Sequence, residues 1–387
     1  MVLAEVRARI EASEERFSPL AAKSRYTRGR ARSEPPCAVR TAFQRDRDRI
    51  IHCKAFRRLK HKMQVFLAPV GDHYTTRLTH TLEVSQVGRS IARALNLNED
   101  LAEAIALGHD LGHTPFGHTG EEALDGLCAE GFRHAEQSLR VIDRLERDGQ
   151  GLNLTWEVRD GIAHHSKPRD SISAEGAGLP HTLEGQIIRT ADSIAYLNHD
   201  IADAVRAGFL REEELPPLCQ TVLGRHHSER INTMVCDVVE ASWRAVRADE
   251  ESRGQTAEDY FAQQARIEEL AESNRPLISF SPRVLEAADL LREFMFERVY
   301  RDCDSRLELQ RARHMLQALF ARFREHPQEM PEEYFSRVEQ DGCERVVCDY
   351  VSGMTDQYAL RAFEELPDCE KMNVLGCENG TVRLGEG

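Results

Sequence analysis

Aromatic side chains are scarce in this chain, at 6% of 387 residues with two tryptophans. Recognition built mainly on stacked rings is therefore a poor expectation. No apolar run approaches the ~18–20 residues that cross a bilayer, and the opening Met1-Val2-Leu3-Ala4-Glu5 lacks the apolar core of a secretory signal. A cytoplasmic protein with no membrane partner is the simplest expectation. The ten cysteines contain no Cys-x-x-Cys pair. That excludes a zinc knuckle and points to buried or free thiols rather than a disulfide framework. General disorder is excluded by the 41% of hydrophobic residues, enough to build a sizeable core.

Charge is plentiful but uneven. The net charge is −14, yet between Lys23 and Lys62 fourteen Lys and Arg face only Glu34, Asp46 and Asp48. A basic segment in an acidic protein suggests a local polyanion contact such as phosphate; a solvated, Arg-rich arm explains it equally well. The periodicity is helical almost throughout, as in Val84, Val87, Ile91 and Leu95, then Leu101 and Ile105, then Ile187, Ile188, Ala191 and Ile194. An all-α fold is expected. Breakers at Pro35-Pro36, Pro115 to Gly117, Gly149 to Gly151, Lys167 to Pro180 and Pro216-Pro217 punctuate it. They suggest a basic N-terminal arm over 1–40 with a short helix at 2–16, and a helical core over 41–215. Residues 216–387 would complete the same globule, with helices in 282–325 and 332–366 and a loosely held tail from 367.

Histidine and aspartate carry the chemistry. His109-Asp110 ends a helix that Asn98 is placed to cap, with 101, 105, 108 and 109 on one face. His80 shares the apolar face of Val84, Val87 and Ile91, and Asp192 shares a face with Ile188, Ala195, Tyr196 and His199. Three helices thus bring nitrogen and oxygen donors to an apolar interior. Burying such groups costs several kcal/mol unless they are paired or metallated. Two imidazoles and two carboxylates suit manganese, magnesium, iron or zinc; separately satisfied core polar residues are the alternative that spacing leaves open. The stretch from His109 to Glu121 then packs three imidazoles and two carboxylates around Pro115, which is expected to end the helix. Glu121, one helical turn after His118, is spaced to orient or deprotonate it. His164-His165 reads as a pair on a helix surface, beside Val158 and Ile162.

These residues sit in longer motifs: Phe43-Gln44-Arg45-Asp46-Arg47-Asp48, Arg57-Arg58-Leu59-Lys60-His61-Lys62, Thr79-His80-Thr81, His109-Asp110-Leu111-Gly112-His113-Thr114-Pro115-Phe116-Gly117-His118, His134-Ala135-Glu136, Ala191-Asp192-Ser193-Ile194-Ala195-Tyr196 and Phe296-Glu297-Arg298-Val299-Tyr300. From about Ser24 to Leu366 the chain resembles the HD-domain deoxynucleoside triphosphate triphosphohydrolases, the bacterial dGTPase-like group in particular. The resemblance implies an HD helical core with additional C-terminal helices, and His80, His109, Asp110 and Asp192 as metal ligands. It implies hydrolysis of a dNTP to deoxynucleoside and inorganic triphosphate. His118 with Glu121 would handle the attacking water or leaving 5′ oxygen, His113 the α-phosphate, and His134 would support them. Arg77 would line the phosphate path, Gln64 and Asp200 would hold the 3′-OH, and Tyr196 would pack near the sugar.

One departure from that pattern matters. Some relatives carry a phosphate-binding lysine directly after the last metal aspartate, where this chain has Ser193. Arg298 or Arg301 is the expected substitute grip. Homo-oligomers, a nucleotide activator and weak single-stranded DNA binding complete the expected partners. The competing functions are another HD-type nucleotidase or phosphodiesterase, and a non-enzymatic nucleotide or single-stranded nucleic-acid binder.

Overall fold

A computed structural model describes residues 2–64, 74–167, 178–247, 256–300 and 307–367. In chain order the α-helices of five or more residues are α1 (Val2–Glu14), α2 (Ala42–Ile51), α3 (Lys54–Arg58), α4 (Arg77–Ala94), α5 (Glu99–Gly108), α6 (Gly117–Asp125), α7 (His134–Arg140) and α8 (Trp156–Ala163). They continue as α9 (Leu183–Arg206), α10 (Pro217–Val222), α11 (His227–Arg247), α12 (Ala257–Glu272), α13 (Pro282–Met295), α14 (Leu307–Glu325), α15 (Cys343–Ser352) and α16 (Asp356–Glu364). The described residues form no strand beyond two isolated bridges, Arg30 with Thr155 and Met63 with Thr76. The protein is all-α. No helix among them is long and apolar enough to cross a membrane.

The helix ends follow local chemistry. Asn98 Oδ1 caps α5 by accepting from Asp100 N and Leu101 N. Thr76 and Thr79 cap α4 reciprocally, and the Thr182 hydroxyl caps α9. Helix α5 stops at Gly108, well before Pro115. His109 is therefore its C-cap, and the residues to Phe116 form a loop rather than a helix broken by proline.

Helices α4, α5 and α9 pack around a core in which Val84, Ile91, Leu101, Ile105, Ile187, Ile188 and Ile194 have no exposed surface. Helices α10, α11 and α13 contribute Cys219, Met234, Val238, Ala287 and Leu291 to this main core. A second cluster joins α6 to α14 and α15, through Leu124, Leu316, Leu319, Phe320, Val346 and Val351. In it Cys128 and Cys348 are disulfide-bonded. The expectation of free thiols thus fails for this pair, which distance along the chain made invisible.

Residues 18–24 are not part of a solvated arm, whereas 31–40 are mostly exposed. Leu20, Ala21 and Ala22 are buried in the main core, and Glu184 on α9 accepts from Ala22 N at 3.1 Å. The arginines are largely spoken for. Arg30 holds Asp46 and the carbonyls of Ala42 and Asn153. Arg49 grips both oxygens of Glu34 at 2.7 Å and the carbonyls of Leu152 and Asn153. Arg47 meets Asp100 and Glu103. The basic segment is a set of internal clamps, which leaves few of its charges for a polyanion.

Candidate metal centre

Of the four expected ligands, His80, His109 and Asp110 bring donor atoms together closely enough to hold a metal ion, and Asp192 stands beside the two histidines. His80, from the first turns of α4, places Nε2 3.2 Å from Asp192 Oδ1 on α9 and 3.9 Å from Asp110 Oδ2. His109 Nε2 lies 3.3 Å from His80 Nε2, 3.5 Å from Asp110 Oδ1 and 3.9 Å from Asp192 Oδ1. Donors bonded to one cation at about 2.0–2.2 Å stand roughly 3 Å or slightly more apart, so the spacing of His80, His109 and Asp110 fits a shared divalent ion. Ring orientation fits as well. His109 Nδ1 donates to Ala106 O at 2.7 Å, which leaves Nε2 with its lone pair turned inward. His80 Nδ1 lies 2.9 Å from His199 Nε2, and His199 Nδ1 lies 2.8 Å from Asp200 Oδ1.

Burial would raise the carboxyl of Asp110, but His109, Arg77, His113 and His80 together hold it well below its usual value. Burial is likewise outweighed at Asp192, chiefly by His80. Both carboxylates are thus kept anionic in an interior where His80 and His109 are each 1% exposed. Arg77 donates Nη1 to Asp110 Oδ2 at 2.8 Å. Its Nε and Nη2 are buried without a partner.

The loop after His109 works through close backbone contact. A Cβ on Gly112 would lie 2.2 Å from Ser138 N and 2.6 Å from His134 O, so only glycine lets the loop lie on α7. Phe116 and Gly117 take left-handed φ of 62° and 58°, and a Cβ on Gly117 would meet Gln64 O at 2.7 Å. This turn sends α6 back across the site. The result stacks His113 on His134, rings 4.7 Å apart at 20°.

Glu121 belongs chiefly to His134, not to His118. Its carboxylate accepts from His134 Nδ1 at 2.9 and 3.0 Å and from His134 N at 2.8 Å. His118 Nδ1 is 3.8 Å away on a side chain 73% exposed. The turn spacing that suggested a His118–Glu121 pair is real, but α7 offers a buried imidazole to the same carboxylate. Burial disfavours charge on both members. Each nevertheless overrides that penalty for the other: Glu121 is held far below the carboxylate range, and His134 is raised. His113, with Arg77 and His134 beside it, is driven the other way by burial and stays neutral.

Sequence reasoning missed His165. Its Nδ1 donates to Ile162 O at 2.7 Å, so its Nε2 accepts from His134 Nε2 at 3.1 Å. The ring lies 5.0 Å from that of His109. Burial, with His109 and His134 adding to it, pushes its pKa down to about 3. Val158 and Ile162 are fully buried, so the face expected to be surface is interior, and His165 just past the end of α8 follows it inward. The His-His doublet was the available signal. His164 does turn away, toward Asp160, which also pairs with His181 at 2.7 Å.

The other expected residues surround this set. Gln64 and Asp200 are buried; Gln64 Oε1 has no hydrogen-bond partner, and Asp200 Oδ1 faces His199 Nδ1 at 2.8 Å. The second oxygen of Asp200 accepts from Tyr300. Tyr196, one turn after Asp192, is partly buried, and burial together with Asp192 raises its phenol. Arg298 is exposed on the turn Phe296–Tyr300. Arg301 and the tail from 368 lie outside the described residues.

A helical core holding a His, a His-Asp doublet and a distant Asp in this geometry defines an HD-type phosphohydrolase site. The HD domain model matches residues 77–197, and the phosphohydrolase-associated domain matches 278–365. The chain is 51% identical over 350 residues to a deoxyguanosinetriphosphate triphosphohydrolase-like protein of Caldanaerobacter subterraneus subsp. tengcongensis, covering 90% of this chain and 92% of that one. A protein of the same description from Desulfatibacillum aliphaticivorans is 44% identical, covering 90% and 94%. Another, from Clostridium tetani, is 44% identical and covers 90% and 92%. The chain belongs to the deoxyguanosinetriphosphate triphosphohydrolase-like family of HD proteins.

Proposed function

We propose that the protein hydrolyses a dNTP, dGTP or several of them, to deoxynucleoside and inorganic triphosphate. The observation that carries this reading is the convergence of His80, His109, Asp110 and Asp192 beside a buried guanidinium, Arg77, with two unpartnered nitrogens. A divalent cation held by those four side chains would supply Lewis-acid polarisation of a phosphoryl oxygen and a more acidic water. Manganese, magnesium or iron suits the mixed donors best, with zinc also compatible.

The chain's own groups divide the remaining work. The free Nε and Nη2 of Arg77 donate to α-phosphate oxygens as negative charge grows there. His113, neutral and with an unpartnered Nδ1, adds a hydrogen-bond contact to the same phosphate. Water attacks the α-phosphorus and gives up a proton to solvent, the bond to the 5′ oxygen breaks, and that oxygen takes a proton. His134, kept protonated by Glu121, is the source of that proton; His118 stands at the exposed mouth where it relays to solvent. The 3′-OH donates its proton to the Asp200 carboxylate while the Gln64 amide N–H donates to the hydroxyl oxygen, and Tyr196 packs against the sugar. A cytoplasmic homo-oligomer, with a nucleotide activator and weak single-stranded DNA contact as further partners, belongs to the same proposal.

Incubating the purified protein with each dNTP and manganese or magnesium tests it. Inorganic triphosphate and deoxynucleoside are expected in equal amounts. Orthophosphate or a nucleoside monophosphate as the product would instead make it a nucleotidase or a phosphodiesterase. Nucleotide binding without turnover would make it a sensor.

A further inference from the structure

His164, the neighbour of His165 that turns away from the first centre, belongs to another group of donor atoms. Asp160 lies in the last turn of α8, His164 is the C-cap of that helix, and His181 directly precedes Thr182, the N-cap of α9. His164 Nδ1 is 3.1 Å and His181 Nδ1 2.7 Å from one oxygen, Asp160 Oδ1. The two rings meet edge to face with centroids 5.5 Å apart. All three donor atoms lie within 4.8 Å of one another.

The surroundings favour a cation. The Asp160 side chain is 4% exposed and those of His164 and His181 are 34% and 24% exposed. The carboxylate is thus a buried anchor, and the imidazoles leave an entry from solvent. His181 N donates to Asp160 Oδ2 at 2.8 Å, which fixes the carboxylate and leaves Oδ1 to the rings. Among the described residues, Asp160 pairs with these two imidazoles and with no lysine or arginine. Asp160 raises both imidazoles, and Glu268 and Glu272 on α12 add to this at His181. Without metal, ring protons meet this demand, and His164 Nδ1 also reaches Asp160 O at 3.0 Å. One divalent cation takes the place of those protons and satisfies all three donors.

We propose that Asp160, His164 and His181 form a second metal site, one that takes zinc. Two imidazole nitrogens and a carboxylate oxygen, with a position left to water, are the donor set of an open zinc site. Nothing in it depends on the function proposed above. Zinc there ties the end of α8, just before His165, to the turn that starts α9, the helix of Asp192. Three protein donors and an open face hold an ion less firmly than four, so the site fills from added zinc.

Calorimetric zinc titration of the full chain, with circular dichroism as the check on folding, tests this in two pairs of proteins. The wild type is expected to take up one zinc more than His181→Gln. In the His109→Ala background, which lacks a ligand of the first centre, adding His181→Gln is expected to weaken zinc binding at least ~10-fold and to abolish the rise in melting temperature that zinc gives. Absence of zinc binding to His109→Ala, equal uptake by wild type and His181→Gln, or equal affinity in the two His109→Ala proteins would each overturn the site. A loss that His164→Gln does not reproduce would also overturn it, because both rings must bind.

Discussion

Replacing Glu121 with Gln removes one charge from the buried Glu121–His134 pair while keeping an oxygen for the hydrogen bonds from His134 Nδ1 and N at 2.8–3.0 Å. The carboxylate is what raises His134 against its own burial. Losing an adjacent opposite charge in such a place lowers an imidazole pKa by ~1–3 units. At pH 7 the share of imidazolium then falls. Its Nε2 proton is also contested by His165, a neutral acceptor 3.1 Å away. A positioned proton donor contributes typically 10²–10⁴-fold, so kcat should fall by ~10- to 10³-fold. Metal content should not change, because Glu121 is not among the ligands. Steady-state kinetics from pH 5 to 9 read the effect: the alkaline limb of the Glu121→Gln profile should move down by ~1–3 units, with activity partly recovered toward pH 5. A kcat within about threefold of wild type, or an unmoved profile, would refute a proton-donating His134.

The same pair fixes a stability window. Glu121 is depressed, so its contribution is present above its ordinary value of 4.5 and is lost as pH falls through the folded value; His134 is raised, so its contribution is full below 6.5 and is lost as pH rises through the folded value. The melting-temperature difference between wild type and Glu121→Gln should therefore be largest between about pH 4.5 and 6.5 and shrink on both sides; a difference flat with pH would contradict this. Gly112→Ala forces a Cβ onto the backbone of Ser138 and His134 and should cost at least ~1–3 kcal/mol in urea unfolding, with activity lost. Arg49→Ala removes the paired contacts to Glu34 and two carbonyls and should cost ~1.5–3 kcal/mol without altering metal content, since the clamp lies away from the ligands.

Much of this was legible because helical spacing translates directly into faces. Asn98 capping α5, His80 on the apolar side of α4 and Asp192 on the inner side of α9 all followed from periodicity. What periodicity could not supply lies where the helices stop. His165 falls beyond the end of α8, and the loop from His109 to Phe116 is shaped by backbone contact at Gly112 rather than by Pro115. The nearer partner of Glu121 was missed because a sequence shows the neighbour one turn away, His118, and hides the one that another helix brings, His134. The arginines of the first fifty residues read as free charge because their acids and carbonyl acceptors, such as Asn153 and Asp100, lie far along the chain. The disulfide between Cys128 and Cys348 was hidden for the same reason.

Divalent metal content per chain, measured on purified wild type and on His109→Ala with matched circular dichroism, bears most directly on the shared cation. One bound manganese, iron, magnesium or zinc in the wild type and its loss in the variant, together with loss of dNTP cleavage, is the predicted result. A folded His109→Ala protein that keeps both its metal and its activity would contradict it.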